Sequence, residues 1–479
     1  MVQPLSSGRG RIILLLLCSI AFLDFIDASI VNVALPAMRD DLGFSVQSLQ
    51  WVPSGYLLTY GGFMLLGGRT ADLLGRRRVL VAGTLLFAVS SAVGGLATSP
   101  GVLVGSRLAQ GIGAAFMLPA TLSILTTTFA EGADRNKALG VWGGVAGLAS
   151  AAGVLLGGLL TEGPGWRWVM LVNPPICVAV LVAVFLLIEG DRRAARFADF
   201  DLPGTVLATG GMLLLVFTLV KAPDVGWDAA RTVGGLAGAL VLIALFVLNE
   251  QRSRHPLLPL SIFRVRGLAA ADVTQLTAIA GFVSMFFFLS LYMVNVLGYS
   301  PLETGSAYLP LCLGVGVSAG ITAQILPRTG TRPVIIVGLL VAAGGMFWLS
   351  RIPVDGSYPA DLLPQLVIVS LGLGAVFVGV TTAANAGVPA DRAGLAAALL
   401  NASQQLGAAL GLAIFSALAT ARTDDLLAEH KPVPEALTAG FSRALLAGAV
   451  FILAAALVAV RISNTRGEHA ADSEPVLVA

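Results

Sequence analysis

Two carboxylates, Asp24 and Asp27, stand three residues apart in "AFLDFIDASIVNVALP" (21–36), inside an apolar run that begins at Ile12. An i, i+3 spacing puts both on one face of a helix. A charge at the centre of a bilayer costs about 2.5–3.5 kcal/mol on insertion scales, so such acids face a cavity or a partner. Desolvation and mutual repulsion both work against two ionised carboxylates side by side, and one of the pair is expected to exchange a proton near neutral pH. A carboxyl can hold a proton or, when ionised, a cationic substrate. The two uses exclude each other, and that exclusion is the basis of exchanging one for the other. A proton falling through 100 mV supplies about 2.3 kcal/mol. Arg107, more than a turn inside the run 101–128, is the natural opposite charge for Asp24 or Asp27. Asp272, a turn or two into its own run, reads as a snorkelling or water-reached acid near the membrane surface.

Other polar residues inside apolar runs are candidates for lining a cavity: Asn32, Tyr60, Gln110, Tyr292, Asn295, Asn401 and Gln405, with Tyr56 beside them. Each can equally serve as a hydrogen bond between helices. Aromatic residues between Phe282 and Tyr308 can stack on a flat cation, or fill a core.

Several chemistries are excluded. "GVSAG" (316–320) fits G-x-S-x-G, but no histidine lies in an apolar run to activate the serine. His255, His430 and His469 fall in polar segments, and Cys18, Cys177 and Cys312 fall in apolar ones, which suggests neither a metal site nor a disulfide framework. There is no Walker-A lysine motif and no nucleic-acid module. The expectation is a protein that is not an enzyme, uses no cofactor or metal, draws on a proton gradient, and has protons, small molecules and lipid as its partners.

The elements that position these residues are membrane helices. Of 479 residues 56% are apolar and only 12% charged, about half the usual charged share. A span needs roughly 20 apolar residues. Fourteen runs qualify: 12–34, 49–68, 79–98, 101–128, 137–161, 168–188, 203–221, 232–250, 268–297, 302–326, 333–350, 361–386, 392–420 and 439–462. The first is too long and too acidic for a cleaved signal. With the N-terminus in the cytoplasm, 20 of 29 Lys+Arg fall in cytoplasmic loops, eight outside, and Arg107 within a span. Both termini are therefore expected in the cytoplasm. The preference for Arg over Lys, with abundant Ala, Gly and Val, points to a bacterial plasma membrane.

Internal similarity orders the spans. "GIGAAFMLPAT" from Gly111 matches "GLGAVFVGVTT" from Gly372, "GRRRVL" from Gly75 matches "GTRPVI" from Gly330, and "VNV" recurs from Val31 to Val294. Each pair lies eight spans apart. The expected fold is all-α: two parallel six-helix repeats (1–190 and 267–479) with two inserted helices and linkers (191–266) between them. Parallel repeats place a substrate site near the membrane midplane.

The motifs resemble the major facilitator superfamily, and within it the fourteen-spanner drug:proton antiporter branch. "GGRTADLLGRRRV" (67–79) looks like the signature loop, "RLAQGIGAA" (107–115) like the span 4 motif, and "IDASIVNVALP" (26–36) and "WRWVMLVNPP" (166–175) like branch motifs. The resemblance implies export of hydrophobic, cationic drugs in exchange for protons by a functional monomer. It points to Asp27 first for coupling, with Arg107 through the span 4 motif; Asp24, beside Asp27, is the next candidate from its place in the span. It makes Gly68, Asp72, Gly75, Arg76 and Arg77 a cytoplasmic gate loop, and Gly147, Gly153, Gly157 and Gly158 a helix-packing motif. One departure stands: "GLASAAGVLLGG" (147–158) has Val154 where the branch carries proline. That keeps an uptake symporter open, beside an exporter dedicated to one endogenous metabolite or antibiotic.

Overall fold

The structure is a computed structural model; it describes residues 4–44, 46–49, 51–129, 133–190, 201–253, 256, 258–388 and 393–465. The side-chain surroundings of some helical residues, Asp72, Gly147 and Val154 among them, also lie outside what it describes.

Lipid offers no hydrogen bonds to a backbone, so an apolar chain that crosses it must satisfy its N–H and C=O groups within each segment. The described residues accordingly form helices and no strand. Eleven helices among the described residues are long and apolar enough to span a bilayer, which makes this a multi-pass membrane protein. Local signals set their ends. Ser7 caps the first helix by accepting from Gly10 N–H at 3.0 Å, and Gly43, at φ 71°, closes it in the left-handed conformation.

The chain divides into two compact units. Unit 1 comprises residues 1–259 with 301–306. It holds α1 (Gly8–Leu42), α2 (Val46–Leu49), α3 (Trp51–Leu74), α4 (Arg76–Gly95), α5 (Pro100–Thr128), α6 (Ala133–Glu162), α7 (Arg167–Leu171), α8 (Asn173–Leu187), α9 (Leu202–Val225) and α10 (Ala230–Arg252). Glycines bring these helices together: Gly153 and Gly157 of α6 sit against the carbonyls of Ile26 and Ile30 of α1, where an added Cβ would come within 2.9 Å of each. Gly158 sits equally close to Leu302. The α9–α10 hairpin belongs to this unit. Asp201 caps α9 through Gly204 N–H and accepts from Asn249 of α10 at 2.8 Å. Phe217 and Lys221 of α9 lie 5.6 and 5.3 Å from the Trp51 ring of α3.

Unit 2 comprises residues 260–300 with 307–479. It contains α11 (Leu268–Asn295), α13 (Leu309–Thr329), α14 (Thr331–Leu349), α15 (Leu363–Asn385), α16 (Ala393–Ala428) and α17 (Val433–Ala459); α12 (Pro301–Ala307) falls at the division. Gly407 and Gly411 of α16 lie against the backbone of Leu276 and Ala280 of α11. After α17 the chain straps the turn before α14: Thr331 N–H donates to Thr465 O at 2.9 Å, and Arg332 Nε to Ile462 O at 2.8 Å.

Each unit has a helix pair that meets through glycines, at positions shifted from the sequence match. The sequence match pairs Gly111 with Gly372. In the structure Gly113 packs on Gly83 of α4, and Gly372 on Gly338 of α14. Gly83 and Gly338 are 255 apart, the same offset as the loop match, so Gly113 and Gly372 are the equivalent pair.

Candidate functional site

Five helices of unit 1 converge on a buried polar cluster. α1 brings Asp24 and Asp27, α3 brings Tyr56 and Tyr60 at i, i+4, and α5 brings Arg107 and Gln110 at i, i+3. α4 contributes Ser91, and Asn173 enters at the first turn of α8 beside Pro174 and Pro175. Proline suits that first turn because its missing N–H would have no helical partner there.

Asp27 is fully enclosed. One carboxylate oxygen accepts from Arg107 Nη1 at 2.6 Å. The other accepts from Gln110 Nε2 at 2.8 Å and Asn173 Nδ2 at 2.7 Å. Asn173 and Gln110 also reach Ser91 Oγ, at 2.9 and 3.4 Å, and Ser91 donates to Met170 O at 2.8 Å. Arg107, 1% exposed, spends its other donors on Gln110 Oε1 and Val52 O, at 2.7 and 3.2 Å. Its guanidinium lies 4.3 Å from the centre of the Tyr56 ring. Two buried opposite charges held by several hydrogen bonds depend on each other, and removing either partner strands the other. The sequence left Arg107 between Asp24 and Asp27; the structure pairs it with Asp27.

Asp24, one helical turn away, has a different environment. It is 2% exposed, and among the described residues its oxygens accept only from two phenols, Tyr56 at 2.7 Å and Tyr60 at 2.9 Å. The two rings lie 5.4 Å apart. Tyr56 joins the two acids: its hydroxyl serves Asp24 while its ring covers the cation that serves Asp27.

The other expected residues are dispersed. Asn32 is exposed and donates back to Ala28 O of its own helix at 2.9 Å. In unit 2, Tyr292 is buried and donates to Pro353 O at 2.6 Å; Asn295 ends α11 exposed, and Asn401 and Gln405 are half-buried on α16. Of the loop residues, Gly75 adopts φ 103° as it starts α4, a conformation that favours glycine. Arg77 stacks on Phe185 at 5.0 Å and donates to Phe185 O at 3.2 Å, which ties α4 to the end of α8. Arg76 is half-buried at the start of α4, while the Asp72 side chain and the setting of Gly147 lie outside the described residues.

At Gly68 a Cβ would make ordinary contact with Pro119 at 3.7 Å, whereas at the adjacent Gly67 it would collide with the Ala115 carbonyl. One expectation needs correction. Asp272 is not a water-reached acid. It is 7% exposed, and among the described residues neither carboxylate oxygen has a hydrogen-bond partner. Its neighbouring helices cover it although it lies early in α11.

Sequence reasoning did not single out Asn173 or Ser91. Asn173 had a signal, the "VNPP" within the motif at 166–175; Ser91, one of several small polar residues in α4, had none.

With that geometry in place, relatives can be compared. Residues 17–412 match the model of the Major Facilitator Superfamily. The chain is 42% identical to the puromycin resistance protein pur8 of Streptomyces alboniger over 87% of its length and 83% of that protein's. It is 38% identical to the cephamycin export protein CmcT of Amycolatopsis lactamdurans over 93% and 91%. Among solved structures, the human organic anion transporter MFSD10 superposes with a TM-score of 0.66 at 15% identity, covering 95% of this chain and all of that one. At that identity the likeness is one of fold.

Proposed function

We propose that this chain, which belongs to the Major Facilitator Superfamily, is a proton-coupled exporter of hydrophobic cationic small molecules across the bacterial plasma membrane. It belongs to the fourteen-spanner drug:proton antiporter branch. Trp51–Leu74, Ala133–Glu162 and Leu202–Val225 supply the three spans beyond the eleven, both termini are cytoplasmic, and the monomer is the working unit. Relatives named for resistance to or export of puromycin, cephamycin, tetracenomycin C and lincomycin support the direction of transport.

The observation that carries the coupling is the contrast between the two acids of α1. Asp27 is committed to Arg107, Gln110 and Asn173. Among the described residues Asp24 has only the neutral donors Tyr56 and Tyr60. The carboxyl that exchanges its proton is therefore Asp24, and the Asp27–Arg107 set holds α1 and α5 in register around it. When Asp24 is protonated the negative charge is cancelled and a cation is released; when it is ionised a cation is favoured. Alternating access then needs only that the two forms prefer opposite openings.

A second reading is an exporter dedicated to one endogenous antibiotic, which relatives named for single compounds favour. One experiment addresses both. Inside-out vesicles holding the protein are acid-loaded and challenged with a panel of lipophilic cations. Discharge by several cations through wild type, lost in Asp24→Asn, is the expected result. Discharge by a single compound class selects the dedicated exporter. Cation movement indifferent to the proton gradient overturns the coupling.

A further inference from the structure

One buried acid takes no part in the cluster of unit 1. Asp272, on the second turn of α11, has neither a hydrogen bond to either oxygen nor an ion pair among the described residues. The helices around it show why no charge answers it. Gly267 abuts Ser463, and Gly281 abuts Gly448 and Ile452, so residue 272 lies level with the end of α17, where Ala455, Ala456 and Ala459 are buried. Gly407 faces Leu276 and Gly411 faces Ala280, which puts residue 272 level with Ser403 of α16.

The charges of the surrounding elements lie elsewhere. α15 has none. Arg422, Asp424 and Asp425 of α16 lie some five turns along that helix from Ser403, at about 3.6 residues a turn. Glu435 and Arg443 lie towards the other end of α17. Arg264, on the 3₁₀ turn Leu260–Arg264 that precedes α11, is exposed, as are Arg266 and Arg461. Arg392, just before α16, lies outside the described residues.

An ionised carboxylate with no donor, no counter-charge and little water is strongly disfavoured, and such a group takes up a proton instead. We infer that Asp272 is a second proton-binding site, in unit 2, neutral while the helices enclose it and releasing its proton when water reaches it. On release the O–H bond breaks, the electron pair stays on the carboxylate oxygen, and the proton passes to water. With the coupling proposed above, on which this consequence rests, each cycle moves one proton more than Asp24 alone would carry.

The test is infrared spectroscopy of the full-length protein in nanodiscs, in light and heavy water. Protonated carboxyls are read by their C=O stretch. Asp272→Asn is expected to remove one isotope-sensitive component and Asp272→Glu to shift it, while Asp24→Asn leaves it in place. If wild type and Asp272→Asn give the same acid bands, Asp272 is ionised, paired for instance with Arg392, and the inference fails. In proteoliposomes with tetraphenylphosphonium as probe, the reversal potential gives the ratio of protons to cations, expected to fall by one in Asp272→Asn. An unchanged ratio in a proton-driven wild type overturns release during the cycle. A band present in a wild type that ignores the proton gradient upholds the site and overturns the coupled exporter instead.

Discussion

The two units each bring a helix pair together through glycines and treat charge in opposite ways. Gly113 on Gly83 in unit 1 and Gly372 on Gly338 in unit 2 bring equivalent helix pairs into backbone contact. On the helix of Gly113, Arg107 and Gln110 reach Asp27; the positions at the same distance before Gly372 are Leu366 and Val369, both buried and apolar. By the "VNV" match, Asp24 and Asp27 correspond to Phe287 and Ser290. Ser290 donates to Phe286 O at 2.7 Å and meets the Tyr308 hydroxyl at 3.0 Å, so its partners are neutral groups. Beyond Asp272, α11 carries no charge. Close packing thus tolerates divergence at the polar positions, because glycine contacts fix the helix distance without reference to charge. A buried ion pair requires a full set of donors and acceptors from several helices at once, and unit 1 assembles one.

The comparison can be broken most directly at Arg107. Arg107→Met leaves Asp27 buried without its cation and is expected to cost about 3–5 kcal/mol, read as earlier unfolding of the reconstituted protein. Adding Asp27→Asn should restore part of that loss, a coupling of about 2 kcal/mol in a double-mutant cycle. Simple additivity would mean that the pair contributes nothing as a pair.

Packing comes next. Gly67→Val drives a side chain into the Ala115 carbonyl and is expected to destabilise by about 1–3 kcal/mol. Gly68→Ala should stay within about 0.5 kcal/mol, although the two glycines are adjacent. Equal effects at both positions would refute the assignment of the close contact.

The Asp24 environment predicts a smaller stability change with a large functional one. Tyr60→Phe removes the hydrogen bond to Asp24, about 1 kcal/mol, and Asp24→Asn should unfold near the wild-type temperature while proton-driven transport stops. Unfolding as early as Arg107→Met would show that Asp24 belongs to the structural set. The least effect is expected at Lys221→Ala, which gives up a cation–π contact worth about 0.5–1 kcal/mol and should leave cation transport intact.

Much of this was legible in the chain. Apolar runs, basic loops and in-span acids announced a helical membrane protein, because lipid admits few other solutions. Asp24, Asp27, Arg107 and Gln110 stood out because charge and amide are costly in a span. Asn173 and Ser91 did not, since a serine on a helix is as often bonded to its own backbone as to a neighbour. Asp272 misled in the other direction: its place near the start of an apolar run suggested water, but exposure depends on what other helices lay over it.

That the helices form, where glycine lets them approach, and which residues are too polar to sit in lipid without a reason can be read along the chain. Those are properties of single segments, set by hydropathy and backbone freedom. That Arg107 serves Asp27, that Tyr56 and Tyr60 serve Asp24, and that Asp272 has no partner among the described residues follows from the folded arrangement. The partners lie 80, 32 and 36 residues apart in the chain, and a hydrogen bond requires its atoms within about 3 Å, a distance that helix packing alone can set.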